Sequence, residues 1–123
     1  MYLVQYAQLF DFFGFEFLRE VIVSYKNDAP TLRNNQDKID EWYFRTSRQA
    51  KRDLRPLLVL WRMPLSQQAI KRVEALNLKL WLPDDLVTKA VPELIKAISD
   101  KFNVKPEKKP ENIKVETNKN SPK

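Results

Sequence analysis

The sequence predicts an all-α fold, a small helical bundle of four to five helices with a disordered C-terminal tail. Apolar residues recur at three- and four-residue steps through most of the chain before residue 103. Prolines and capping residues fall between those runs, and no second strand-like run exists with which the single candidate strand could pair. The chain divides into a helical bundle domain, residues 1–103, and a Lys/Pro-rich tail, residues 104–123.

The first helix is read from Leu3, Tyr6, Phe10, Phe13, Phe17, Val21 and Tyr25, which share one face at helical spacing. Phe12 and Phe15 widen the apolar face beyond one stripe, so this helix is expected to meet more than one neighbour or another protein. Gly14 weakens its middle slightly, and Asn27, Asp28 and Pro30 break it.

A long second helix is expected from Pro30 and Thr31 to about Arg62, with Leu32, Ile39, Tyr43, Ala50, Leu54, Leu57, Leu58 and Trp61 inward. Pro56 should kink or divide it, because proline lacks the backbone donor and its ring crowds the preceding turn. Ser66 caps a short third helix, Gln67 to Leu76, facing inward through Ile70 and Val73. Leu78, Leu80, Trp81 and Leu82 read as a buried turn.

Pro83, Asp84 and Asp85 then open the last helix, where a carboxylate suits the unpaired N–H groups. Its inner face is Val87, Val91, Leu94, Ile98 and Phe102, with a kink at Pro92. After Val104 the composition is that of a solvated, disordered segment.

Residue inventory bears on function. The 123 residues include no His, no Cys and one Gly. Without imidazole or thiol there is no near-neutral general base, no thiolate nucleophile and no usual zinc site. A single glycine excludes the common phosphate-cradling loops. On this inventory the expectation is a non-enzymatic protein with no catalytic residue, no metal and no cofactor. The apolar stretch Met1 to Val23 is interrupted by Asp11, Glu16, Arg19 and Glu20, so it is expected to be a soluble core helix and the protein cytoplasmic, with no membrane partner.

The net charge of +6 is concentrated in the middle of the chain, where residues 45–79 hold nine basic groups against Asp53 and Glu74. Arg45, Arg48, Arg52, Arg55 and Arg62 follow one strip of the expected second helix, with Lys51 at its edge. On an unbroken helix the strip would extend roughly 25 Å at the helical rise per residue. Guanidinium groups donate to phosphate in pairs, so the strip is the candidate nucleic-acid-binding site, suited to backbone contact. Two structural uses stand beside it: a solvated helix face, and pairing with the acidic first helix. Trp42, Tyr43 and Phe44 adjoin the strip and could stack bases, although core packing is their commoner use; Trp61 and Trp81 are assigned to the core.

Met1 is followed at once by the core-like Tyr2, Leu3 and Val4, as if the chain began inside a larger domain. With the Arg45 to Arg62 strip, this resembles the small helical subunits of CRISPR-Cas effector complexes. The resemblance implies a subunit of a ribonucleoprotein that supports crRNA and target or displaced DNA without catalysis. Its partners would be the nucleic-acid backbone and other protein subunits, including copies of itself. Two alternatives are a protein interaction module docking through Phe10, Phe13 and Phe17, and a phage or plasmid DNA-binding regulator.

Overall fold

The computed structural model describes residues 2–109. These form seven helices: α1 Tyr2–Phe13, α2 Phe15–Asn27, α3 Asn35–Ala50, α4 Arg55–Leu60, α5 Gln67–Glu74, α6 Leu86–Ala90 and α7 Pro92–Phe102. The fold is all-α, and no strand occurs among the described residues. No helix among them is long and apolar enough to cross a membrane.

The expected first helix is two. Gly14 sits between α1 and α2 at φ 92°, a left-handed value that ends one helix and starts another, so its effect is a break where only a weakening is expected. The division turns part of the apolar face away from the core. Leu9, Phe17 and Val21 are buried with Ala50, Leu54, Leu57 and Trp81, and Phe12 and Phe13 pack against them. Leu3, at 77% exposure, and Phe10, at 48%, face outward. The interior of α1 is instead partly polar, because Gln5 and Gln8 are both buried. Gln5 accepts from Trp42 Nε1 at 3.1 Å, and Gln8 accepts from Trp61 Nε1 at 2.8 Å while donating to Asp85 at 3.0 Å. The two glutamines therefore tie α1 to the indoles of two other segments, satisfying polar groups that would be costly to bury alone.

The expected second helix is also shorter. It starts at Asn35, where Asn34 caps it by accepting from the Asp37 N–H, and it stops at Ala50 because Lys51 is left-handed, φ 58°. Ser47 then accepts from the Leu54 N–H, and buried Asp53 accepts from both the Tyr43 hydroxyl and the Arg55 N–H. Pro56 does not kink a helix. It lies in the first turn of α4, where a missing N–H costs nothing. α5 keeps its expected start, with Ser66 accepting from the Ala69 N–H, and it buries Ala69 and Val73 against Tyr43, Phe44, Leu58 and Met63.

The 78–82 connector is extended, not a turn. Asp53 and Leu80 form one parallel bridge, Pro83 and Glu107 another, each a single pair. Asp85 caps α6 with a reciprocal bond to Thr88. Pro92 then restarts the chain as α7, and the rotation leaves Val91 and Leu94 exposed while Ile95 and Ile98 go inside with Leu82. Contacts continue past residue 103, the expected domain edge. Val104 packs with Leu82, Ile95 and Ile98, and Glu107 exchanges backbone hydrogen bonds with Leu82 and Asp84. From residue 110 the expected tail lies outside the described residues.

Candidate functional site

The six basic residues singled out from the sequence do not share one face, because the helix meant to align them ends at Ala50. Arg45 is only 3% exposed. Its guanidinium donates to the Ser24 and Asp28 carbonyls, both at 2.6 Å, and to the Glu41 carboxylate. It thus satisfies carbonyl groups at the C-terminal end of α2, where a cation also suits the helix dipole. Arg52 donates twice to Glu107, at 3.1 and 2.9 Å. Arg55 lies 3.9 Å from Glu74 and over the Phe102 ring.

The remaining three are exposed, Arg48 and Lys51 at the C-terminal end of α3 and Arg62 after α4. Arg48 lies over Phe44, while Lys51 and Arg62 both occupy left-handed turns after helices. The single basic strip is therefore corrected to three residues with internal partners and three surface cations, two of them at the end of α3. Trp42 is half-buried, whereas Tyr43, Phe44 and Trp81 are buried, so the aromatics beside the strip serve chiefly the core.

What the structure does assemble lies around the N-terminal half of α3. Successive α3 residues point to two sides. Asp37, Asp40 and Glu41 face a polar hollow of about 190 Å³ completed by Arg33 and Arg72. Lys38, Ile39 and Trp42 face an apolar hollow of about 240 Å³ completed by Tyr6, Tyr25, Leu32 and Met63. The 28–34 connection, carrying Thr31, Leu32 and Arg33, runs between the two.

The carboxylates of the polar hollow are already engaged. Asp37 accepts from the backbone and side chain of Arg33, which hold it below the usual carboxylate range. Asp40 accepts from Gln36 and from the N–H and hydroxyl of Ser66. Burial pushes the Glu41 carboxyl up, but hydrogen bonds from Arg45 and Arg72 outweigh it and hold the group below its ordinary value. Arg72 in turn lies 3.5 Å over the Phe44 ring. Each carboxylate already has its own donor from the chain, and among the described residues no group of three or more Asp or Glu could hold a metal ion.

Comparison with known families adds what no single residue carries. A family model described as peptidase M60, enhancin and enhancin-like, matches residues 1–62, just over half of the 123. The chain belongs to this family. The matched segment contains α1 to α4, and with them every residue of the apolar hollow except Met63. No curated protein and no solved structure matches the chain.

Membership in the peptidase M60 family overturns the expectation of a non-enzymatic protein. That expectation rested on missing His and Cys, which restricts what these side chains can do but does not define the activity of a family. Peptide hydrolysis proceeds through a nucleophilic side chain or through an activated water, for instance one on a metal ion. The described carboxylates do not fit a metal, so no catalytic step is assigned to them here. The hollows beside α3 escaped sequence reading because Leu32 and Ile39 look like core positions; Ile39 does pack on the core, whereas Leu32 lies exposed in the connection before Asn34.

Proposed function

We propose that this protein acts in peptide-bond hydrolysis and that residues 2–109 form a helical unit that holds the polypeptide substrate along α3. The observation that carries this reading is the match of residues 1–62 to the peptidase M60 family, a segment that supplies most of the lining on the apolar side of α3. The paired hollows, on two sides of α3, suit an extended polypeptide, whose successive side chains point to opposite sides of its backbone. The nucleic-acid reading has weaker geometric support, since Arg45, Arg52 and Arg55 are committed to internal partners.

The test is to incubate the full chain with a disordered polypeptide such as β-casein, with and without added divalent cations. Fragments are followed by mass spectrometry and complex formation by sedimentation. Saturable binding, with or without fragments, is expected. A chain that neither binds nor cleaves the polypeptide under any of these conditions overturns the proposal.

A further inference from the structure

We propose that the apolar hollow between α1, the 28–34 connection and α3 is a subsite for one large aliphatic or aromatic side chain of a polypeptide, with Lys38 receiving a carboxylate on the neighbouring residue. This deepens the substrate-holding reading above and rests on it.

The walls are apolar and set in place from behind. Tyr6 and Trp42 form one side, with ring centroids 5.1 Å apart, and buried Met63 lines the hollow with them. Gln5 fixes that side by accepting from the Trp42 indole and donating to the Met63 sulfur. The Trp42 N–H and the Met63 sulfur are thereby engaged within the protein, and these two residues present ring and thioether surface to the hollow. Tyr6 and Leu32 remain about two-fifths exposed, so apolar area is left to bury on binding.

Two groups supply polarity. Among the described residues neither the Lys38 ammonium nor the Tyr25 hydroxyl has a hydrogen-bond partner, although Lys38 follows directly on the arginine-bound Asp37. Burial, with Glu41 nearby, pushes the Tyr25 phenol up to about 12, so it stays protonated and can donate to a backbone carbonyl. The charge of the lining is therefore positive.

Size narrows the ligand further. Cofactor and drug-sized sites run from roughly 300 to 1,000 Å³. At about 240 Å³ this hollow suits a side chain with its adjoining backbone.

The experiment titrates the full chain with acetyl-Gly-Leu-Glu-Gly-amide and with versions carrying Ala for Leu, Gln for Glu, or Lys for Glu. The Trp42 indole N–H resonance reports occupancy, and β-casein is titrated in parallel. Loss of the Leu side chain should weaken binding by about tenfold or more, and loss of the acid by about threefold. Lys38→Glu should reverse the preference toward the Lys peptide. Leu32→Asp, in an exposed connection, should abolish the dependence on Leu while circular dichroism stays unchanged.

Peptide binding that ignores Leu, Glu and both substitutions, with casein still bound, overturns the subsite and leaves the substrate reading standing. Failure to bind casein as well as every peptide overturns both.

Discussion

The guanidinium of Arg45 lies 4.6 Å from the ring centroid of Tyr25 while its nitrogens serve the Ser24 and Asp28 carbonyls and the Glu41 carboxylate. One buried cation thus closes α2 and fastens it to α3. Arg45→Met should lower unfolding free energy by about 3 kcal/mol, the usual cost of breaking a buried, hydrogen-bonded charge. Arg45→Lys should recover little, because one ammonium cannot reach three acceptors in a plane. Exposed Arg48→Ala should change stability by less than about 0.5 kcal/mol. Urea denaturation monitored by circular dichroism gives all three values.

The same cluster sets the pH dependence. Glu41 titrates below its ordinary value of 4.5, so its contribution is full above that value and is lost as pH falls through the depressed one. Tyr25 behaves in the opposite sense. Its phenol is raised from 10.0 to about 12, so its contribution is full below about pH 10 and is lost as pH rises between the two. Urea midpoints should fall at both extremes, and Tyr25→Phe should remove part of the alkaline loss.

Gln8 links three segments through one amide, accepting from Trp61 and donating to Asp85. Gln8→Leu adds apolar volume yet leaves the indole N–H and a carboxylate oxygen without this partner. It should destabilise by about 2 kcal/mol. A chain made more stable by this change would mean that the two bonds contribute nothing net.

How far the sequence could be read follows from what set each element. Periodicity sufficed for an all-helical fold, and Ser66 and Asp85 mark their helix starts because capping is local chemistry. The breaks at Gly14 and Lys51 were not legible. Glycine takes the left-handed conformation freely but is also tolerated inside a helix, so its presence alone does not mark a break, and lysine carries no preference for that conformation. Missing the break at Lys51 also placed six basic residues on one helix that ends before four of them. A run of arginines in a sequence does not reveal which carbonyls or carboxylates the fold will bring to Arg45 or Arg52. The apolar hollow was hidden for the converse reason, since Leu32, Ile39 and Trp42 have the signature of a core. The peptidase family was out of reach of an inventory of reactive side chains, because the matched 1–62 segment contains neither His nor Cys.

Arg52 ties the Glu107 carboxylate to the turn after α3, while the Glu107 backbone bonds to Leu82 and Asp84 of the 78–84 connection. The pair is part-exposed, so Arg52→Ala should cost less than about 1 kcal/mol globally. Locally it should matter more: the amides of Asp84 and Glu107 should exchange with solvent measurably faster. Hydrogen bonding from Arg52 holds the Glu107 carboxyl below its ordinary 4.5, so its tether is intact above that value and weakens as pH falls through the depressed one. Hydrogen exchange of the wild-type chain across that range should show the same opening.

Nucleic-acid affinity should reflect the dispersal of the basic residues. If all six acted on phosphates, the logarithm of affinity would fall with that of salt at a slope of about −5 for duplex DNA. With Arg48, Lys51 and Arg62 alone exposed, a slope no steeper than about −3 is expected. Fluorescence anisotropy with a labelled duplex between 50 and 200 mM salt, on the order of physiological strength, measures it.

The central claim is that the apolar hollow between α1, the 28–34 connection and α3 is where a polypeptide side chain is held. A binding isotherm of the full chain with β-casein tests this most directly when repeated with Leu32→Asp, a change on the exposed rim of the apolar hollow. Saturable binding that weakens by about tenfold in the variant is the predicted result. Equal affinity of the two chains, or no saturable binding by either, would contradict it.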